Sequence, residues 1–205
     1  MKKKGLQLLF LFVCLTTMSF GQKILTLEGD EGFDFIVGQT TVNVEFDYSD
    51  YGVGDYDSED DYVKKKVADG NKKEPGKGDK WKESWFGARE RVYQPKFMKL
   101  INKGLEKKNI TFVEGAEDAD YTLIVKTTFI EPGYNIGISS RPSSVNFQYI
   151  FVDAEGNVVA KLSQKGVPGS QAAGFDFDTS TRVSESYAKA GKMLAGHIYK
   201  KIKKK

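Results

Sequence analysis

Cysteine and histidine are nearly absent from this 205-residue chain, which contains one of each, Cys14 and His197. Because Cys14 falls in the N-terminal leader described below, the rest of the chain has no thiol nucleophile, disulfide or cysteine metal site. A single histidine excludes a histidine metal cluster within one chain, and a Ser-His-Asp triad would have to use His197.

Motifs for nucleotide binding and hydrolysis are also missing. The chain has no G-x-x-x-x-G-K-[ST], no G-x-G-x-x-G after a predicted strand and no G-x-S-x-G. The glycine-rich stretch 166–174 lacks a lysine placed to reach a phosphate. We therefore predict a protein that is not an enzyme and binds neither a cofactor nor a metal ion.

Long apolar runs are absent except near the N-terminus. Lys2–Lys4 precede an apolar run at 6–15, and small and polar residues follow it. This pattern predicts a secretory signal peptide over 1–21. Cys14 lies inside the apolar run rather than at a lipidation site, so simple export is favoured. We expect a periplasmic or secreted protein, 22–205, with no transmembrane segment after cleavage.

The predicted mature chain has little net charge of either sign. The whole chain has a formal charge of +3, and the leader contributes three lysines, so the remainder is close to neutral. We therefore expect no nucleic-acid partner. Lysines do end the chain, at Lys200, Lys201 and 203–205. They fit either the dipole of a closing helix or contact with an anionic surface.

Hydrophobic periodicity predicts both strands and helices. Strands are expected at 23–29, 39–48, 110–113, 121–130, 145–152 and 158–164, with a hairpin loop at 153–157. Helices are expected after Ser58 and after Asp79, with a kink at Pro95, and from about Thr181 to the C-terminus. The sequence thus predicts a single α+β domain over 22–205 with a helical insertion at about 58–108. Its antiparallel or mixed sheet has about 4–6 strands, with helices packed on one face and a closing C-terminal helix.

The acidic and tyrosine-rich stretch 47–66 has three interpretations. A calcium loop would need glycine at the position of Asp60 and glutamate at the position of Lys66. A helix start uses Ser58 as its cap with Asp61 three residues later, and places acids in the first turn. An acidic recognition loop at 48–57 is the third possibility. The helix start accounts for more of the residues.

Two segments carry a resemblance to known envelope proteins. "EDADYTLIV" at 117–125 and the hairpin "FVDAEGNVVAKL" at 151–162 resemble the N-terminal domain of TolB and related domains of curli-secretion and penicillin-binding-protein-activator lipoproteins. The stretch "KKEPGKGDKW" at 72–81 is similar to exported proteins of Bacteroidota. The resemblance implies an envelope location and contact with other proteins, and it brings no catalytic motif.

Three predicted loops, 48–57, 131–144 and 166–178, carry aromatic and acidic residues of the kind used in binding. The candidate contact residues are Tyr48, Tyr51, Tyr56, Tyr134, Phe175, Asp176, Phe177 and Asp178. The favoured function is a non-enzymatic exported protein that binds another envelope or extracellular macromolecule, either a protein or a glycan.

Two other functions remain open at this point. A glycan-binding module would use Trp81, Trp85 or the loop aromatics together with carboxylates. A hydrolase would use acids alone, and the pair Asp176 and Asp178 is the candidate for that chemistry.

Overall fold

A computed structural model of the chain describes residues 26–28, 32–136, 138–170 and 178–202, without the side chains of 26–28 and 135. The predicted leader, 1–21, lies outside the described residues. So do three of the candidate contact residues, Phe175, Asp176 and Phe177.

The centre of the fold is one mixed β-sheet. The described strands are β1 (Thr26–Glu28), β2 (Thr41–Asp47), β3 (Gly52–Val53), β4 (Thr111–Glu114), β5 (Tyr121–Glu131), β6 (Tyr134–Asn135), β7 (Ser140–Arg141), β8 (Ser144–Asp153) and β9 (Val158–Pro168). The main sheet has the order β1-β9-β8-β5-β2-β4, and the two-residue β3 pairs with β5 just beyond the end of β2. Strands β6 and β7 form a separate hairpin.

Strand direction divides the sheet into two parts. Strands β1, β9, β8 and β5 are antiparallel neighbours, whereas β2 runs parallel to both β5 and β4. The predicted hairpin loop at 153–157 joins β8 to β9. There, Gly156 adopts a φ of 84° and the Asp153 carboxylate accepts a hydrogen bond from the Asn157 backbone N–H at 2.8 Å. Only glycine adopts such a backbone without strain.

The helices are α1 (Glu59–Lys73), α2 (Lys77–Ala88), α3 (Gln94–Leu105) and α4 (Thr179–Ile202), with 3₁₀ turns at Asp34–Ile36 and Glu106–Lys108. Ser58 caps α1 and accepts a hydrogen bond from the Asp61 N–H at 3.1 Å. The helix-start interpretation of 47–66 is therefore confirmed. Helix α2 begins two residues before Asp79, because Gly76 in a left-handed conformation precedes it and places Asp79 in its first turn.

A π-helical turn at Arg89–Tyr93 connects α2 to α3. Pro95 lies in the first turn of α3, where the missing N–H costs no helical hydrogen bond. The predicted disturbance at Pro95 is thus confirmed, and it takes the form of a wider turn rather than a break.

Helices α3 and α4 cover one face of the sheet. The α4 stripe Val183, Tyr187, Ala190, Leu194 and Ile198 is fully buried, and so are alternate residues of β5 and β8. The predicted α+β architecture, with helices on one face and a closing helix, is confirmed. None of the described helices is long and apolar enough to cross a membrane.

Candidate functional site

The described parts of the three aromatic and acidic loops, which leave out 171–177, meet at one end of the sheet. Parallel pairing puts the carboxyl ends of β2 and β5 together. Antiparallel pairing brings the start of β8 and the end of β9 to the same end of the sheet. The Gly54 N–H donates to the Ile130 carbonyl at 2.9 Å, and the Gly169 N–H donates to the Ser143 carbonyl at 2.8 Å. The loop end is therefore one continuous surface of the molecule.

A polar cluster fastens the first loop to the helices. The Glu59 carboxylate accepts hydrogen bonds from the Tyr51 hydroxyl and from Trp85 Nε1, the latter at 2.6 Å, and it forms an ion pair with Arg89. Arg89 also donates to the Tyr51 hydroxyl at 3.1 Å. Its guanidinium carbon lies 4.5 Å from the ring centroid of Tyr48. One carboxylate thus joins the loop, α1, α2 and the π-helical turn.

This cluster is built to hold structure rather than to transfer protons. Both oxygens of Glu59 accept hydrogen bonds from three donors, so the carboxylate has little capacity left to act as a general base. Burial, followed by the neighbouring Glu59, raises the pKa of Tyr51 well above its ordinary value. Tyr51 therefore stays a neutral hydrogen-bond donor.

The expectation that aromatic residues of loop 48–57 are exposed is wrong for Tyr51, which is 4% exposed. Tyr48 and Tyr56 are half-buried. Tyr48 packs beneath Arg89, and Tyr56 meets the edge of Tyr62 with ring centroids 5.7 Å apart. The helices that follow the loop cover these rings, which residue type alone did not show. Their role in contacting a partner remains a prediction.

The two tryptophans of α2 form a packed pair. Their rings stack with centroids 5.6 Å apart, and Tyr62 contacts both of them. Trp85 is buried and donates its N–H to Glu59, whereas Trp81 is half-buried. A sugar ring stacks on an open aromatic face, and the stacked face of this pair is already filled. The geometry therefore favours packing over glycan binding at these residues.

Among the described residues of the loop end, the hairpin formed by β6 and β7 exposes the most apolar side chains. Ile138 is 97% exposed, Ile136 is 64% exposed and Tyr134 is 44% exposed. Two backbone pairs, Tyr134 with Arg141 and Asn135 with Ser140, hold the hairpin together. The core of this molecule buries its large apolar side chains, so three exposed ones in a five-residue stretch mark a candidate contact surface.

The base of this hairpin is anchored on the core. Arg182 of α4 is 2% exposed and donates to the carbonyl oxygens of Pro132 and Gly133, each at 3.4 Å. Glu131 accepts from the Gly133 N–H at 3.0 Å and pairs with Arg141 at 3.2 Å. The exposed tip thus stands on a fixed base, which is the arrangement that binding loops require.

Asp178 caps α4. Its carboxylate accepts hydrogen bonds from the Thr181 N–H at 3.1 Å and from the Ser180 N–H at 3.2 Å, and both hydroxyls also donate to it. Burial alone would raise the pKa of Asp178, but these hydrogen bonds outweigh it and hold the pKa below its ordinary value. The observed role is structural, and contact with a partner stays a prediction.

His197 lies at the opposite end of the sheet. Its ring is 5.7 Å from Phe33, which contacts Phe151 at 5.4 Å near the amino end of β5. A surface depression of about 550 Å³, lined by Thr40, Thr41 and 115–120, opens at this same end. His197 and the tryptophans therefore do not share a cleft. Within the described ranges, no three His, Cys, Asp or Glu side chains are grouped closely enough to hold a metal ion.

Sequence reasoning missed the residues that dominate the loop end. It considered Glu59 as an acid of a calcium loop or of the first turn of α1, and it assigned no role to Arg89. It named Tyr134 but passed over Ile136 and Ile138. In "GYNIGIS", Tyr134, Ile136 and Ile138 alternate with other residues close to two glycines. This pattern was the available signal for an exposed hairpin.

No protein-family model and no curated protein sequence matches the chain. Among solved structures, it is similar to the PelC dodecamer from Paraburkholderia phytofirmans, with 12% identity, a TM-score of 0.43, and coverage of 83% of this chain and 97% of that one. A second PelC dodecamer structure from the same organism gives 13% identity, a TM-score of 0.40, and coverage of 84% and 98%. A DUF330-family protein from Xanthomonas campestris gives 14% identity, a TM-score of 0.33, and coverage of 51% and 59%. At these TM-scores the likeness carries nothing about ligands or partners, and the resemblance to TolB-type domains stays a prediction.

Proposed function

We propose that this chain is an exported, non-enzymatic protein that binds another protein of the cell envelope or extracellular space through the hairpin at 134–141. The observation that carries the proposal is the exposure of Tyr134, Ile136 and Ile138 on one anchored hairpin. The leader pattern at 1–21 supports export.

The chemistry of the loop end supports binding over catalysis. Glu59 and Arg89 form an ion pair, and each also forms a hydrogen bond with a neighbouring side chain. Asp178 is occupied as a helix cap. Burial of apolar side chains such as Ile136 and Ile138 against a partner is favourable by about 25 cal/mol for each Å² that is removed from water. The hairpin is therefore the part of the described loop end with the most to gain from a protein contact.

The test compares two sets of exposed apolar residues. The double variant Ile136→Ser/Ile138→Ser removes the apolar tip of the hairpin, and Val158→Ser removes a residue that is also exposed, at 60%, but lies at the start of β9. Chemical cross-linking in the native host should capture a defined partner with the wild type and with Val158→Ser. The double variant should lose it. Capture that is equal in all three proteins would contradict the proposal.

A further inference from the structure

Net positive charge is concentrated on one part of the helical layer. Residues 94–108 carry five lysines and one glutamate, and residues 189–202 carry four lysines and no acidic residue. In contrast, α1 carries five lysines and four acidic residues. The imbalance is therefore local, in a chain whose predicted mature form is close to neutral.

The fold brings these two segments together. Helices α3 and α4 run parallel, since Lys96 near the start of α3 pairs with Glu185 and Gly104 near its end lies beside Ala195. The two helices touch, because a Cβ added to Gly104 would lie only 2.5 Å from the Cβ of Ala195. Beyond that contact, the Lys108 ammonium lies 5.2 Å from the ring centroid of Tyr199. The carboxyl-terminal halves of the two helices thus form one surface.

The exposed lysines of this surface point to solvent, since the sheet covers the other side of both helices. We call them the lysine patch: Lys99, Lys103, Lys107, Lys192, Lys200 and Lys201, all of which are exposed. The carboxyl end of a helix carries roughly half a negative charge, so two helix ends account for only about one of these lysines. The exposed Glu106 offsets one more lysine, and the others leave a positive surplus.

The pKa of the single histidine is also affected by this positive charge. Burial, then Lys201 and Lys200, lowers the pKa of His197 below its ordinary value. Positive charge at the edge of the lysine patch therefore disfavours one more proton nearby.

We propose that the lysine patch binds the surface of an anionic phospholipid membrane. Lysine ammonium groups are point charges without the planar fork with which arginine holds one phosphate or carboxylate in a fixed geometry. A layer of lipid headgroups needs only such diffuse attraction, worth about 1 kcal/mol for each lysine near the surface. The patch lies on helices that the described fold leaves open to solvent.

Other features of this surface disfavour a sugar polymer as the ligand. One face of the Tyr199 ring lies beneath Lys108. The Asn102 amide is engaged with the backbone of Phe112, at 2.9 Å as a donor and 2.7 Å as an acceptor. Glycan sites combine open aromatic faces with amide groups that bond to hydroxyls. The patch contributes charge, which suits headgroups.

The experiment is vesicle co-sedimentation of the full chain without an affinity tag. Vesicles of phosphatidylcholine alone are compared with vesicles in which about a third of the lipid is phosphatidylglycerol, at low and high salt. We expect binding to the anionic vesicles only, lost at high salt. The triple variant Lys103→Gln/Lys107→Gln/Lys192→Gln should bind about a hundredfold more weakly.

The matched control removes the same charge from α1, with Lys64→Gln/Lys72→Gln/Lys73→Gln, and should bind as the wild type does. The leader is present in every variant, so differences between variants report the lysines. Equal loss in both triple variants, or binding to the anionic vesicles that neither triple variant weakens, would overturn the proposal. Patch-dependent binding to soluble polygalacturonate, with none to anionic vesicles, would also overturn it in favour of a polymer.

Two further readouts separate this proposal from the function of the hairpin. Binding of anionic vesicles should raise the pKa of His197, measured by NMR on its single imidazole, because headgroup charge offsets Lys200 and Lys201. An unchanged His197 pKa in the bound state would count against the patch as the contact. The hairpin variant Ile136→Ser/Ile138→Ser should still bind vesicles, so either proposal can fail alone.

Discussion

Arg89 and Glu59 are 30 residues apart in the sequence, yet their side chains form an ion pair that fastens α1 to the π-helical turn. Both side chains are largely shielded from water, and the pair also fixes Tyr51 and Trp85. The covered position of Tyr51 depends on this contact. Its removal should therefore be felt in the stability of the whole molecule.

Glu59→Gln should lower the free energy of unfolding by about 2–3 kcal/mol, because it leaves the shielded Arg89 without its counter-charge. The measurement is equilibrium unfolding in urea. Asp69→Asn is the control, since it breaks the exposed Lys65–Asp69 pair of the same helix and should lower the stability much less. Equal losses in the two variants would show that the Glu59 pair contributes no more than a surface contact.

Two glycines of α4 should respond in opposite directions to alanine. A Cβ at Gly191 would overlap the carbonyl oxygen of Phe97, so Gly191→Ala should cost about 1–3 kcal/mol as α3 and α4 are forced apart. Gly196 is exposed, and a Cβ there meets nothing within 4 Å. Gly196→Ala should therefore stabilise the helix by roughly 0.5–1 kcal/mol. Thermal unfolding of the pair checks the prediction, and a loss from both variants would contradict it.

The cap at Asp178 should make stability depend on pH in a defined direction. Its pKa is lower in the folded state than in the unfolded chain. Its contribution is therefore complete above the ordinary carboxyl pKa of about 4, and it is lost as the pH falls through the folded-state pKa.

Asp178→Asn keeps a capping oxygen but cannot titrate, so the wild type should be the more stable protein at neutral pH and lose that advantage in acid. Asp178→Ala should cost about 1 kcal/mol at neutral pH. Unfolding free energies measured across this pH range provide the test. Parallel curves for the wild type and Asp178→Asn would show that the Asp178 charge does not contribute.

Tryptophan fluorescence should not respond to glycans. Trp85 is buried against Glu59 and Trp81 stacks on it, so a sugar cannot reach the face that the two rings share. A titration with a broad glycan panel should leave the emission unchanged. A saturable shift that is lost in Trp81→Phe would restore glycan binding as the function of this surface.

Local sequence signals predicted the elements of this fold well. The α4 stripe from Val183 to Ile198 and the alternation of β8 specify buried faces directly, and Ser58 marks the start of α1. The parallel pairing of β2 with β5 could not be predicted in this way, because it depends on helices between the two strands rather than on a short turn.

The surface of the loop end was predicted less well, for a related reason. Tyr51 has the residue type of a binding residue, but Arg89, 38 residues later in the chain, and Glu59 of α1 cover it in the folded protein. Exposure is set by such long-range contacts, which residue type does not encode. The position of the loops at one end of the sheet likewise depended on strand direction, which sequence periodicity does not give.

The pairing of β1 with β9 constrains the order in which the molecule can be completed. Leu27 lies opposite Leu162, so a segment that leaves the ribosome earlier waits for a strand that appears much later. A contact this distant in sequence closes late, because the intervening chain must already be ordered. A chain threaded amino end first through any narrow passage would therefore reach the far side with its sheet still open, and would seal that edge only once almost all of it had arrived.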